Sequence, residues 1–351
     1  MKKLQFNLKV LFAASFLIAW VLTPFASADV ETSEICFPVA LRDGSASVCV
    51  TVFENTKAWV SGANILAVHG MTGTAANWKP LAEEMITTPV WGKTIKRVMA
   101  IDLPGHGKSP IPQSLAGGPF GKLIIDDNMS VILQTILALQ EIDMAPRAIM
   151  GHSMGGLAIQ GLQEALLNSD LSLAMLGVFR TVLFAPVPAS GAVWNKGADA
   201  DLTPFIKGEA DDPVIGQYVY IPAYYARLGA TFATLDGTLV PNLPSLEEMA
   251  THTGNEPLYA ILQLAGYPGF PQRPYASEGA FNMLNGTILN IVSFSQDALV
   301  AQDDLDELYP YLTGDMLDIF YRPITADDAC HGMLISNPKR VVKELLTLPP
   351  F

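Results

Sequence analysis

The sequence predicts an α/β protein: a mostly parallel sheet with helices on both faces, interrupted by one long insertion. Three observations predict it. Short apolar runs alternate with stretches of helical periodicity, the signature of parallel strands joined by crossover helices. A hairpin-like pair of alternating runs precedes that alternation. The alternation then stops near Pro186 and resumes near Thr287, with Pro, Gly and aromatic residues in between.

Residues 34–53 read as an antiparallel hairpin, with a turn signal at Leu41-Arg42-Asp43-Gly44-Ser45. The run Ile65-Leu66-Ala67-Val68 is a buried strand ending in His69-Gly70. A helix is expected over 75–85. Arg97-Val98-Met99-Ala100-Ile101 is the next strand and leads into Asp102-Leu103-Pro104-Gly105. Residues 117–121 are loop. From 125 to 142, Val131, Ile132, Thr135, Ile136 and Leu139 fall at helical spacing. A strand over 147–152 runs into a helix over 154–167, and a further strand covers 178–184. After the insertion the expected elements are a strand over 287–294, a helix over 303–312, a strand over 316–321 and one amphipathic helix over 333–346. The domain reading is a core of 29–185 and 286–351 with a cap inserted at 186–285.

The chain has 351 residues, and the first 28 read as a secretory signal: Lys2 and Lys3, an apolar run from Val10 to Leu22, then Pro24 and Ala26-Ser27-Ala28. The run is shorter than the ~20 residues a membrane span needs, so cleavage is preferred to an anchor. Cleavage leaves 323 residues and removes three lysines, taking the net charge from −13 to −16. The lysine-rich start points to a secreted or periplasmic bacterial-type protein with no stable membrane association after cleavage. So acidic a surface disfavours nucleic acid and anionic membranes as partners. With 50% hydrophobic and 16% charged residues, the chain can bury a large core.

Of three cysteines, Cys36 and Cys49 flank the hairpin turn. A disulfide fits if the register places them opposite each other; two unpaired small apolar residues are the alternative. Cys330 is left over, expected as a buried thiol beside the site. No Cys/His spacing indicates zinc.

The stretch with the most chemistry is Ala148-Ile149-Met150-Gly151-His152-Ser153-Met154-Gly155-Gly156. An apolar strand meets a helix there, and Gly-x-Ser-x-Gly marks the sharp turn that exposes a serine hydroxyl. Side chains at Gly151 and Gly155 would collide with the neighbouring strand and helix. The bland alternative for Ser153 is a helix N-cap.

Taken together, the loops resemble those of the α/β-hydrolase superfamily. His69-Gly70-Met71-Thr72-Gly73 resembles its His-Gly-x-x-Gly segment. Asp102-Leu103-Pro104-Gly105-His106-Gly107-Lys108-Ser109 resembles its Asp-x-x-Gly-x-Gly-x-Ser loop. Gly151-His152-Ser153-Met154-Gly155 resembles its nucleophile elbow. The likeness covers the mature chain except the insertion. It implies a nucleophile, acid and base in the order Ser153, Asp297, His331, with no cofactor and no metal. It also implies an oxyanion hole from the backbone amides of Met71 and Met154, the Met71 side chain packing on the acyl group.

The chemistry demands these residue types. A serine hydroxyl is a weak nucleophile until a base takes its proton, and five histidines compete for that role. His69 and His106 sit in glycine-rich loops as braces. His152 adjoins the serine and is expected to point away. His252 lies in the insertion. His331, in Ala329-Cys330-His331-Gly332-Met333, follows the last strand. Asp297 follows the strand before it and can orient the imidazole. Asp303 and Asp304 read as the acidic first turn of a helix, and Asp327 and Asp328 are the local alternatives. Asp102 is expected to shape its loop. In the cap, Tyr224, Tyr225 and Phe232 are candidate substrate contacts on one helical face.

The function expected is a serine hydrolase cleaving a small to medium, apolar ester through an acyl-enzyme. Amidase, lactonase, carbon–carbon bond hydrolase and cofactor-free haloperoxidase share the implied triad. A non-catalytic binding protein on this fold is the reading of a different class.

Overall fold

The computed structural model describes residues 29–41, 44–58, 61–113, 115, 118–188, 202–314 and 321–347. The leader expected at 1–28, the hairpin-turn residues Arg42 and Asp43, and 316–320 of the expected strand lie outside the described residues.

An eight-stranded sheet forms the centre. Its strands are β1 (Val30–Leu41), β2 (Gly44–Asn55), β3 (Ala63–Val68), β4 (Ile95–Asp102), β5 (Ala148–His152), β6 (Arg180–Phe184), β10 (Ile288–Phe294) and β11 (Tyr321–Ile324). They lie in the order β1-β2-β4-β3-β5-β6-β10-β11. β1 and β2 pair antiparallel, as do β2 and β4; every other neighbouring pair is parallel. All residues of β3 and β6 are buried. Parallel strands covered on both faces need apolar side chains on both, which is why these segments read as continuous apolar runs.

The main helices are α1 (Lys79–Thr87), α2 (Ile125–Glu141) and α3 (Met154–Leu167). α2 buries Ile125, Val131, Ile132, Ile136 and Leu139, the periodic face seen in the sequence. Asp126 and Asp127 occupy its first turn, where the helix dipole favours them, and the Asp127 carboxylate accepts from the Ile124 amide at 2.8 Å. No helix among the described residues is long and apolar enough to cross a membrane.

The hairpin register pairs Cys36 with Cys49, and their sulfurs are bonded. Cys330 is a buried free thiol.

Between β6 and β10 the chain forms small elements. A three-stranded sheet contains β7 (Ile206–Lys207), β8 (Tyr218–Val219) and β9 (Glu256–Pro257) in the order β7-β8-β9. Helices α4 (Ala223–Leu228), α5 (Leu246–Thr251) and α6 (Leu258–Leu264) accompany it. Phe232, Val240 and Met249 join Cys330 in a second apolar cluster. From Leu258 onward the insertion behaves differently. Ala260, Leu264, Ala276, Ala280 and Phe281 belong to the main core, and Gln163 of α3 donates to the Ala280 carbonyl at 2.8 Å.

After β10 come α7 (Gln302–Thr313), α8 (Met333–Ser336) and α9 (Pro338–Leu345). The single helix expected over 333–346 is two helices. Pro338 disfavours helical backbone at the residue before it, and Asn337 sits at φ −146, ψ 61. Asn337 caps α9 instead, its side chain accepting from the Arg340 amide.

Candidate active site

Ser153 stands between β5 and α3 at φ 52, ψ −121. Such backbone costs a non-glycine residue about 1–3 kcal/mol and has to be enforced by its surroundings. Packing enforces it here. A Cβ on Gly151 would come within 2.6 Å of Ile159 Cδ1, and one on Gly155 within 2.4 Å of the His69 carbonyl oxygen. The glycines let α3 press against β5 and the end of β3, leaving Ser153 at the tip. The Ser153 carbonyl accepts from Gly156 and Val187, while its amide donates to Phe184. The serine side chain makes no N-cap bond, so the alternative reading of Ser153 as a cap does not hold.

His331 and Asp297 meet across 34 residues of sequence. Nδ1–H of His331 donates to Asp297 Oδ2 at 2.7 Å, and both side chains are buried. The other carboxylate oxygen accepts from the amides of Leu299 and Val300, each at 2.8 Å. Asp297 is thereby fixed by its own turn. In the neutral ring this bond places hydrogen on Nδ1 and the lone pair on Nε2. The rival acids are placed elsewhere: Asp303 and Asp304 in the first turn of α7, and Asp328 on the Asn337 amide.

Ser153 and His331 line one cavity of about 110 Å³. Gly70, Met71 and Thr72 border it from the loop after β3. Ile221, Ala226, Phe232, Met249, His252 and Thr253 border it from the insertion. Met154 is the first residue of α3, where helix geometry leaves the amides directed outward along the axis.

The loop residues brace one another. Asp102 accepts from the amides of Ala75 (2.6 Å) and Lys108 (2.9 Å), the loop-shaping role expected of it. Burial raises its pKa against the pull of those bonds. His69 Nδ1–H donates to the Gly70 carbonyl at 2.8 Å and Nε2 accepts from the Leu103 amide. One donor and one acceptor make a neutral ring. Burial and the charge of nearby His106 push its pKa well below 6.5.

Two expectations fail at the site. His152 does not point away. Its Nε2–H donates to the backbone carbonyl of His331 at 2.9 Å, and the two rings lie 4.5 Å apart. Burial, then the proximity of His331, drive its pKa well below 6.5, so it is a neutral strut under the His331 backbone. Nothing local in the sequence marks a bond spanning 179 residues. Nor do Tyr224, Tyr225 and Phe232 share a helical face. Phe232 ends a 3-10 turn (Ala230–Phe232), is 1% exposed and packs against Gly332. Tyr224 and Tyr225 on α4 are 57% and 54% exposed, because the inner side of that short helix is taken by Ala223 and Ala226. His252, passed over in the sequence, is buried against the cavity, and desolvation lowers its pKa to about 4.

A model described as the alpha/beta hydrolase family matches residues 65–344. Among solved structures, a peroxisomal alpha-beta-hydrolase from Saccharomyces cerevisiae is 14% identical, covering 93% of this chain and 91% of its own, at TM-score 0.56. A probable hydrolytic enzyme from Pseudomonas aeruginosa is 18% identical, covering 92% and 96%, at TM-score 0.55. A putative lipase from Acinetobacter baumannii is 12% identical, covering 90% of each chain, at TM-score 0.55. Identities this low speak to the fold alone. The dihydrolipoyllysine-residue acetyltransferase component of the acetoin cleaving system of Pseudomonas putida is 31% identical over 121 residues, which is 28% of that protein's length and 33% of this chain. The matched region begins in β3 and ends in α9, so it takes in every loop that builds the cavity. The match spans most of the chain and agrees with its sheet order, its strained serine turn and its His–Asp pair: this chain belongs to the alpha/beta hydrolase family.

Proposed function

We propose that the protein is a serine hydrolase of carboxylic esters that works through an acyl-enzyme. One observation carries this reading: Ser153, on its strained turn, opens on the same cavity as an imidazole whose far nitrogen is locked by Asp297. His331 Nε2 takes the Ser153 proton as Oγ attacks the ester carbonyl. The imidazolium formed is stabilised by Asp297, then protonates the departing alkoxide. Water, deprotonated by the same nitrogen, releases the acid. The oxyanion of each tetrahedral intermediate rests on the amides of Met71 and Met154, each donor contributing about 3 kcal/mol. None of these steps calls for a cofactor or metal.

The cavity supports a short acyl group. Its 110 Å³ is well below the ~300–1,000 Å³ of drug-sized ligand sites. Met71, Phe232 and Ile221 make its wall largely apolar. The leader-like residues 1–28 and the disulfide support export of the mature chain, acting on a small-molecule ester outside the cytoplasm.

The test is hydrolysis of p-nitrophenyl esters of graded chain length by mature protein and Ser153→Ala, with fluorophosphonate labelling. Acetate and butyrate turn over faster than palmitate, and Ser153→Ala loses both labelling and at least about 10⁴-fold in kcat. Labelling that persists in Ser153→Ala would remove Ser153 from the mechanism. Labelling without turnover of any ester would move the chemistry to amides or carbon–carbon bonds.

A further inference from the structure

The loop carrying Met71 is not held by the core alone. Thr72, the next residue, sits at φ 55. A β-branched residue is rarely stable there, so something must hold it. Both peptide groups of Thr72 are bonded to one short segment of the insertion. Its amide donates to Glu256 Oε2 at 2.8 Å, and its carbonyl accepts from the Gly254 amide at 2.7 Å. The neighbouring bonds run the same way. Thr74 Oγ1 donates to the Thr251 carbonyl at 2.6 Å. Asn255 donates through its backbone and side-chain nitrogens to Gly105, each at 3.1 Å.

Glu256 is fully buried. Its Oε2 also meets His106 Nε2 at 3.2 Å. His106 Nδ1 meets the Pro104 carbonyl at 3.1 Å. Both ring nitrogens therefore face oxygens, and Nε2 and Oε2 share a proton between them. The Glu256 carboxyl beside it favours the charged form of the ring. The second oxygen of Glu256 has no hydrogen-bond partner among the described residues. A buried carboxyl oxygen left unsatisfied is costly for stability.

We propose that Glu256, paired with His106, is a positioning residue: it reaches from the insertion to hold the Thr72 amide, one residue past Met71, and so fixes the loop that carries the oxyanion-binding Met71 N–H. The insertion thus braces the oxyanion hole. This rests on the acyl-transfer reading above.

The pair also sets a direction in pH. Three titratable groups face the His106 ring: Glu256 from β9, Asp102 from the end of β4, and His69 at 4.7 Å from the loop after β3. Burial lowers the ring's pKa, but Glu256, the Pro104 carbonyl and Asp102 together raise it above its ordinary value. A histidine pKa raised by folding stabilises below the unfolded value, and that contribution is lost as pH rises through the folded one. Deprotonation leaves the Nε2 lone pair against the carboxylate, and the hold on Thr72 weakens on the alkaline side.

The test compares Glu256→Ala with Glu256→Gln, whose amide oxygen still accepts from Thr72. Steady-state ester kinetics are expressed per active site titrated with fluorophosphonate, so that misfolded protein drops out. Glu256→Ala loses about 10–100-fold in kcat with KM within about threefold, as expected of a weakened transition-state contact. Glu256→Gln recovers most of that loss at neutral pH. Wild-type kcat falls through the alkaline titration of His106, followed by its Cε1–H resonance. If Glu256→Ala does not fold, that wild-type titration and Glu256→Gln carry the test. Wild-type kcat per site in Glu256→Ala, Glu256→Gln as impaired as Glu256→Ala, or kcat flat through the His106 titration overturns the proposal. A wild-type protein inert toward every ester and probe overturns the hydrolase reading instead.

Discussion

The sheet and the insertion are built on different terms. β1 and β2 run for twelve residues each, and the parallel strands pair over four to six residues. Among the described residues of the insertion, the strands have two residues each and the α-helices six or seven. The sheet stabilises itself through apolar burial on both faces. The segment from Ile206 to Pro257 has a small cluster around Phe232, shared with Cys330, and is otherwise tied to the core by hydrogen bonds and by Tyr218 packed on Phe120. A self-sufficient scaffold can tolerate such an insertion, and the insertion can then serve the site where it is anchored.

Three substitutions press on this difference. Asp297→Asn strikes the core's part of the site and carries the largest effect. Its amide can present a donor to His331 and so favour the wrong ring tautomer, and kcat for a short ester falls about 10³–10⁴-fold with the fold unchanged by circular dichroism. Phe232→Ala empties the insertion's cluster, a loss of about 3–5 kcal/mol for a fully buried phenylalanine. Because that cluster is separate from the main core, hydrogen exchange should quicken over 226–252 while the amides of β3, β5 and β6 stay protected. Equal acceleration in the sheet would show that the two regions unfold as one. Tyr224→Ala has the smallest effect: an exposed ring on α4 can be removed with kcat/KM within about twofold and stability within about 0.5 kcal/mol. A larger change in KM would return Tyr224 to the substrate path.

The same difference explains what the sequence revealed. The buried strands and α2 follow from apolar runs and helical spacing, because burial on a sheet imposes a period on the chain. The serine turn was legible because Gly151 and Gly155 are required by contacts within one β–turn–α unit. Asp297 and His331 were legible through their order after the serine, and the structure brings them together. The loop roles of His69, His106 and Asp102 also came through. What failed depends on groups distant in sequence. His152 takes its role from a carbonyl 179 residues away, and Glu256 from an amide 184 residues away. Neither leaves a local pattern. The aromatics of the insertion misled because α4 is under two turns long, too short for periodicity to reveal which face is inward. A single helix over 333–346 is suggested by apolar spacing that continues across the break at Pro338.

Strand β1 is the last strand on its side of the sheet, a position that invites another chain to add itself. Along it Glu31, Glu34 and Pro38 are all exposed. Gln134 of α2 adds a subtler guard. Its amide accepts from the Ala40 N–H at 2.7 Å and donates to the Ala40 carbonyl at 2.9 Å. A single side chain thus imitates one residue of the missing neighbour strand. The bond between Cys36 and Cys49 ties β1 to β2 further along, so the strand cannot peel away to be exchanged between molecules. The hairpin is thus an insurance against self-assembly as much as a piece of the scaffold.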